Sequence, residues 1–429
     1  MSVRRSSRTN TARNANVSKA ALSAVEEVWT RPAQWLQLPD VTGQQRLVGL
    51  HAIFPSANFV ALSAAGNYTV DWGDGTTTNH NSGTVAYKEY NYADISSTNE
   101  SILGYRQVII QVYPQAGQNL TTLNLQQRHN QSGLNTSYAA AWLDITINGS
   151  SLTSLTIGAN NGINFSFLKQ VTIRDHAVTN MSSLFQNCRA LVSVPWFNTA
   201  SVTSMFRMFA GCVALQKPPA LNTSALITSG ASEMFNGCTA LVSCPDMNLS
   251  GITVLNALFA NCVNLLIAPS LNITSSCTSF TSVFSGCTNL LYVPVYNTSN
   301  VTNATQVFLN CVFLVNAPAL DLSKVTNVVN LFSGCTALTT IPSYNLGAVT
   351  SGSFLNTFGA CSSLSRFSAT GMNQSFTVAN CKLSATELNT MFGNLSNTGT
   401  GKTVTVTGNY GAATCDTSIA TAKGWSVTV

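Results

Sequence analysis

The stretch "LFSGCTALTTIP" (331–342) decides the fold because its pattern recurs along the chain. Close variants are "LFQNCRALVSVP" (184–195), "MFNGCTALVSCP" (234–245) and "VFSGCTNLLYVP" (283–294). In each variant a phenylalanine stands three residues before a cysteine, a leucine three residues after it and a proline seven residues after it. This spacing predicts a structural repeat.

Eight copies of the phenylalanine–cysteine pair follow one another in steps of 24 to 26 residues. They are Phe185 and Cys188, Phe209 and Cys212, Phe235 and Cys238, Phe259 and Cys262, Phe284 and Cys287, Phe308 and Cys311, Phe332 and Cys335, and Phe358 and Cys361. In the eighth copy Ser368 replaces the proline. A fixed period of this length is typical of a solenoid.

Each repeat divides into three parts. Apolar residues at i, i+3 and i+6 share one face of a helical or 3₁₀ turn, so the F-x-x-C-x-x-L segment predicts such a turn. A short β-prone segment follows, and proline ends it because proline donates no backbone hydrogen bond. A polar turn such as "NTS" (297–299) then leads to the next copy. One repeat buries little alone, so we expect stacked rungs with an inward-facing phenylalanine–cysteine ladder.

The repeated cysteines allow three interpretations. As metal ligands they would need to converge, whereas stacking spreads them along a line. As disulfides they would need side chains that face each other, whereas side chains in register point the same way. As small buried apolar residues they fit the ladder directly, and this interpretation is favoured.

Charge separates a short arm from the rest of the chain. Only 8% of the 429 residues are charged, against about 25% in an ordinary domain. The formal net charge of +5 comes from the first 20 residues, whose basic residues are Arg4, Arg5, Arg8, Arg13 and Lys19. We expect residues 1–44 to form an extended docking arm, in which these residues with Trp29 and Trp35 anchor a partner protein. Specific nucleic-acid binding is the less favoured alternative, because no folded reader accompanies the charge.

The repeat resembles a known family. "MFNGCTALVSCP" and its variants, followed by "NTS"-type turns, resemble the BspA-type leucine-rich repeat of bacterial surface proteins. The resemblance covers residues 178–395 and implies a leucine-rich-repeat-type solenoid, mainly β with short helical turns. Residues 396–429 resemble the closing segment of that family, and we expect a strand, a short helix and a final strand that cap the stack. Residues 118–177 contain four short alternating segments and predict irregular first rungs.

The N-terminal part contains a second motif, "GNYTVDWGDGTTTNH" (66–80), which predicts two strands joined by a tight turn. It resembles the WGDG hairpin of PKD-like modules, which implies a small immunoglobulin-like β-sandwich over residues 45–117. Asp71 and Asp74 in this motif allow calcium binding, but paired acids on a hairpin are more often turn formers.

The sequence contains no recognisable catalytic, metal or nucleotide motif, so we expect a non-enzymatic protein without a cofactor. It also shows no apolar run typical of a signal peptide or a membrane span. PKD-like modules followed by BspA-type repeats resemble structural proteins of tailed bacteriophages, cyanophages especially.

That resemblance implies a virion surface protein such as a fibre, a tail or neck appendage, or a capsid decoration. Its arm would contact other virion proteins, its copies would form a homo-oligomer or multicopy assembly, and its rod would face a host glycan or protein. A bacterial or protist surface adhesin and a carbohydrate-active enzyme are the alternatives.

Overall fold

The computed structural model describes residues 29–98, 100–127, 141–158, 167–350, 352, 354–397 and 401–429. The predicted anchoring residues Arg4, Arg5, Arg8, Arg13 and Lys19 lie outside the described residues. The described chain is mainly β, and the predicted solenoid is confirmed over the repeats.

Two β-sheets form the N-terminal part and enclose one apolar core. The first consists, in spatial order, of β10 (Gln170–Ile173), β8 (Trp142–Asn148), β1 (Arg46–Ile53), β6 (Arg106–Pro114), β3 (Tyr68–Asp71) and β4 (Thr77–His80). The second consists of β5 (Val85–Glu89), β2 (Phe59–Ala65), β7 (Thr122–Asn124) and β9 (Ser154–Thr156). A 3₁₀ turn covers Tyr92–Asp94. The predicted hairpin is confirmed as β3 and β4, whereas the PKD-like identity stays a prediction.

The first sheet continues by strand pairing into the repeats, and the second sheet includes a strand of the first rungs. β8 pairs antiparallel with β1 and parallel with β10, and Gln170 in β10 bridges in parallel to Ser193 of the first full repeat. In the second sheet β9 pairs in parallel with β7. The boundary drawn after residue 117 therefore does not separate two sheets, because the first rungs are strands of the same sheets.

Each rung contains a run of β-turns where the spacing predicts a helical turn. In the second repeat, the amides of Met208, Ala210, Cys212 and Leu215 each donate to the carbonyl oxygen three residues earlier. Two left-handed residues interrupt every run and prevent a helix, one two residues before the phenylalanine and one just before the cysteine. In this repeat they are Arg207 (φ 56°) and Gly211 (φ 76°). The expected helical turn is thus replaced by consecutive turns that keep the same three side chains inward.

Glycine and asparagine before the cysteine supply this conformation. Left-handed backbone costs little for glycine and is tolerated by asparagine. Seven of the eight repeats carry one of the two, at Asn187, Gly211, Gly237, Asn261, Gly286, Asn310 and Gly334, and Ala360 fills the eighth position.

Hydrogen bonds join the turn runs of neighbouring rungs, and all of those described next are donated toward the following rung. The amides of Met205, Arg207, Phe209 and Gly211 all donate to carbonyl oxygens of the following rung. On the opposite side, short parallel contacts join the rungs, with β11 (Thr340–Ile341) and β12 (Arg366–Phe367) as the longest. The solenoid is therefore held by backbone pairing on two sides and by its apolar interior.

The cap closes the C-terminal end of the stack. A parallel sheet consists of β13 (Phe376–Thr377), β14 (Lys402–Thr405) and β15 (Trp425–Thr428). The expected helix between the last two strands is α2 (Ser418–Thr421), and a longer helix, α1 (Ala385–Gly393), precedes them. Ser384 begins α1 by accepting from the amide of Glu387. This S-x-x-E capping pattern marks a helix that the repeat period does not predict.

The segment from residue 29 to 44 packs on the outer face of the first sheet. Trp35 is buried there beside Leu50, Tyr105 and Leu143, and its Nε1 donates to the hydroxyl of Tyr105 over 3.2 Å. Trp29 packs against the same cluster. The assignment of Trp35 to a partner contact is therefore wrong, because its apolar surface is already covered within the chain.

Arg31 fixes this segment to the sheet. Its Nε donates to the Asp144 carboxylate over 2.7 Å, and its other guanidinium nitrogens donate to the carbonyl oxygens of Trp35 and Leu36. The part of the predicted arm that the structure describes is consequently a strap that completes the body.

Candidate functional site: the outer surface of the solenoid

The phenylalanines of the repeats form one continuous stack inside the rod. Rings of successive rungs, from Phe185 to Phe358, have centroids 5.3 to 6.4 Å apart and planes within 26° of each other. All eight rings and all eight repeat cysteines are buried, with at most 1% of their surface exposed. Neither ladder is available to a ligand.

The cysteine thiols are used structurally. From the second repeat onward each thiol donates to the carbonyl oxygen of the phenylalanine one rung earlier, over 3.0 to 3.2 Å. The same oxygen accepts the amide of the cysteine in its own rung, as Phe235 does from Cys238. Burial raises the pKa of the Cys238 and Cys335 thiols to about 12. A protonated, hydrogen-bonded thiol is a poor nucleophile and a poor metal ligand.

The outer flank of the rod is lined with hydroxyl groups. Threonines stand in register after the buried valine or isoleucine of the polar turn. Thr302, Thr326 and Thr350 each donate through Oγ1 to the carbonyl oxygen of the threonine one rung earlier, over 3.1 to 3.2 Å. These hydroxyls are committed to the rod, so the threonine column presents mainly methyl groups and accepting oxygens to solvent.

A column of amides runs along the neighbouring edge. Side-chain oxygens of Asn222, Asn297 and Asp321 accept from the amide two residues later, which closes the polar turn of each rung. The numerous N-x-S/T sequences of the repeats supply these turn residues. Their role in the fold is therefore explained without modification.

Charged contacts on the rod are few. Arg207 forms a two-pronged pair with Glu233 of the next rung, with Nε–Oε2 and Nη2–Oε1 distances of 2.9 Å. The arginine is 42% exposed and the glutamate 24% exposed, so the pair contributes about 0–1 kcal/mol to stability. It joins rungs and does not form a catalytic pair.

Asp71 and Asp74 act as turn formers in the described hairpin. Asp71 accepts from the amide of Gly73 and from the side chain of Gln111. Asp74 accepts from the amide and hydroxyl of Thr76 and pairs with Lys88. Across the described ranges, no group of three or more histidine, cysteine, aspartate or glutamate side chains gathers as a metal site.

A buried histidine and a buried carboxyl group lie in the N-terminal part. His51 is fully buried edge-on to the Trp142 ring, with centroids 5.1 Å apart, and burial lowers its pKa to about 3. Asp144 is also buried; burial raises its pKa, while Arg31 opposes the rise. Neither group lies on the surface of the rod, so both belong to the fold.

Within the part of the chain that is described, no helix has the length and apolar character to cross a membrane.

One family model matches the repeats. The family described as "Mycoplasma protein of unknown function, DUF285" matches residues 164–270, 229–345, 253–370 and 278–398. The last three matches begin 24 and 25 residues apart, which is the length of one rung. Together the matches span residues 164–398, more than half of the chain, so the chain belongs to this family.

The chain is also similar to a solved structure, a leucine rich cell surface protein from Faecalibacterium prausnitzii A2-165. The identity is 17%, and the match covers 61% of this chain and 84% of that chain. The TM-score is 0.26. None of the curated proteins matches the chain.

Proposed function

We propose that this member of the DUF285 family is a non-enzymatic display protein, in which a rigid repeat rod presents its outer surface to a binding partner. One observation carries the proposal. The two N-terminal sheets and the eight rungs share one continuous apolar core, and the polar turn of each rung lies on the outside. A body built in this way keeps a long surface in fixed register.

The chemistry of the outside favours binding over catalysis. The described rod exposes hydroxyl and amide groups that already form hydrogen bonds within or between rungs, and the thiols of its cysteine ladder are buried and protonated. Hydrolysis of glycosides needs two carboxyl groups at a defined separation. Glu233, Asp246, Asp321 and Glu387 are the only acids between residues 178 and 395. Glu233 and Asp246 stand at opposite ends of the third repeat, and Asp321 and Glu387 belong to later parts of the chain.

As the finer proposal, the rod belongs to the surface of a tailed-phage virion, as a fibre, a tail or neck appendage, or a capsid decoration. The resemblance of the layout to such proteins supports it. The basic residues before Trp29 are the proposed contact with other virion proteins. A cellular surface adhesin is the second candidate, and the resemblance to BspA-type repeats favours it equally.

Labelling of intact particles and cells tests the display role. An antibody against residues 178–395 should bind intact virions or intact cells of the source, and mass spectrometry of purified virions should detect the chain if the finer proposal holds. Labelling that appears only after disruption would overturn display. Detection on cells but not in virions would favour the adhesin. A glycan-hydrolysis screen should show no turnover.

A further inference from the structure

Exposed apolar residues concentrate on one side of the middle rungs. Other exposed large apolar side chains, such as Trp196 and Tyr410, lie elsewhere in the described chain. Five instead fall within two adjacent rungs: Leu291 (42% exposed), Tyr292 (44%), Val295 (73%), Phe313 (53%) and Val315 (42%). The largest apolar patch on the surface of a soluble protein is often functional.

The patch has a regular geometry. The strand contact aligns Tyr292 with Ile267 and Leu291 with Leu266, whose carbonyl oxygen accepts the Leu291 amide over 2.9 Å. The repeat places Val315 one rung further on, next to Leu291. These residues with Phe313 form a grid, which we call the strand-face grid; its members are Leu266, Ile267, Leu291, Tyr292, Phe313 and Val315. Neighbouring rungs of the grid are about 4.8 Å apart.

Amide side chains occupy the remaining positions of the grid. Phe313 stands where the two preceding rungs carry Asn289 and Asn264, whose side chains hydrogen-bond to each other over 3.1 Å. Asn316 follows Val315 and is exposed. Flat apolar surface therefore alternates with groups that can both donate and accept a hydrogen bond.

Charge is absent around the grid. Residues 247–320 contain no Asp, Glu, Lys, Arg or His, so three consecutive rungs carry no formal charge. A charged partner such as an acidic polysaccharide, a nucleic acid or an anionic membrane finds no counter-charge here. The complementary partner is neutral.

The size of the grid decides between a protein and a glycan as the neutral partner. Its exposed side chains present a few hundred Å². A specific protein interface, including one with a second copy of this chain, needs about 800 Å² from each partner. The grid is too small for that but covers a short run of sugar rings. Pyranose rings pack their C–H faces on aromatic and aliphatic side chains, and their hydroxyl groups pair with amides.

We propose that the strand-face grid binds a neutral glycan, with Tyr292 and Phe313 as the stacking residues and Asn264, Asn289 and Asn316 as hydrogen-bonding partners. The proposal rests on the display role proposed above and names the class of its ligand. The two are separable, since surface labelling does not depend on the grid.

The labelled full chain tests the proposal on an array of mannan, β-glucan, galactan and chitin oligosaccharides, with alginate and heparin as acidic probes. At least one neutral probe should bind, and titration of that probe should show affinity about tenfold weaker for Tyr292→Ala/Phe313→Ala. Tyr410→Ala, an exposed aromatic residue in the cap, is the matched control and should bind as the wild type does. Unchanged unfolding midpoints would show that both variants are folded.

Three results would overturn the proposal: binding only to acidic probes, binding to none of the probes, or unchanged affinity in the double variant. Sedimentation tests the alternative occupant, a second copy of this chain. A concentration-dependent dimer that Phe313→Ser abolishes, without glycan binding, would assign the grid to a second copy. If the antibody labels intact particles or cells and no oligosaccharide on the array binds, the display role stands and the glycan proposal is rejected.

Discussion

The thiol of Cys262 donates a hydrogen bond to the carbonyl oxygen of Phe235, one rung earlier, over 3.1 Å. The Phe235 oxygen also accepts the Cys238 amide, so one carbonyl joins two rungs. Cysteine suits this position because it is small enough for the interior and still carries a weak donor.

We expect Cys262→Ala to lower the free energy of unfolding by about 1–2 kcal/mol through lost packing and the lost hydrogen bond. Denaturant titration measures the loss. Cys415→Ala, in the cap and partly exposed, is the control, and equal losses would contradict a special role for the ladder.

Thiol reactivity should distinguish the native rod from the unfolded chain. Ten of the 12 cysteines are buried, and burial raises the pKa of the thiols. Because the thiolate reacts, an aromatic disulfide reagent at pH 8 should modify at most Cys244 and Cys415 rapidly. All 12 should react in denaturant. Rapid native reaction of more than two would show that the rungs open easily.

Phe259 lies in the middle of the aromatic stack and is fully buried between Phe235 and Phe284. Phe259→Ala should cost about 3–5 kcal/mol, because the neighbouring rungs cannot collapse into the cavity. Phe313→Ala removes the same ring from an exposed position and should cost less than about 1 kcal/mol. Similar unfolding midpoints for the two variants would mean that the stack contributes little to stability.

His51 should make stability fall in acid. Its pKa is about 3 in the folded protein, against 6.5 for a histidine exposed to water. The unfolded chain therefore binds the proton first. His51 leaves the free energy of unfolding unchanged above pH 6.5. Between pH 6.5 and 3 it lowers that free energy by up to about 1.4 kcal/mol per pH unit.

Unfolding curves of wild type and His51→Leu, compared across this range, isolate the effect. Their difference should grow as the pH is lowered, and a constant difference would mean that His51 gains a partner for its proton. Asp144, whose pKa is raised, remains in both proteins and cancels in the comparison.

Arg31→Ala should destabilise the N-terminal part, because it leaves the buried Asp144 carboxylate without its cation. The expected loss is about 3–5 kcal/mol. Arg31→Ala/Asp144→Asn should recover part of that loss, since the neutral amide carries no unpaired charge. Thermal unfolding followed by tryptophan fluorescence measures the loss, since four of the six tryptophans, Trp29, Trp35, Trp72 and Trp142, precede the repeats. A double variant as unstable as the single one would show that packing of the strap dominates.

The repeat, the strands of the first rungs and the cap could be predicted from the sequence because each follows from local periodicity. The turn runs could not, since apolar spacing of i, i+3 and i+6 suits a helix and consecutive turns equally. Glycine or asparagine before the cysteine was the available signal. Trp35 was misassigned for a different reason. The sequence shows that an apolar residue stands in a polar segment, but not whether that residue packs against its own chain or against a partner.

The candidate surface was harder to predict than the core. The ladder residues are repeated and therefore visible, whereas Tyr292 and Phe313 depart from the repeat at positions that vary among rungs. Their meaning depends on which positions of successive rungs become neighbours. That register follows from backbone bonds such as Leu291 to Leu266, and length and composition do not encode it.

The one-way hydrogen bonds between turn runs give the turn side of the rod an electrical polarity. The amides of Met205, Arg207, Phe209 and Gly211 all point toward the C-terminal end, so their peptide dipoles add along the axis as they do in a helix. The turn side should carry partial positive charge at the cap and partial negative charge at the N-terminal sheets. Because residues 247–320 carry no charged side chains, little in the middle of the rod screens this field. Amides of the threonine column, such as those of Thr302 and Thr326, donate to the preceding rung instead, so that side of the rod has the opposite polarity. At each end of the rod the turn side and the threonine side therefore differ in the sign of their partial charge, which favours one orientation of approach.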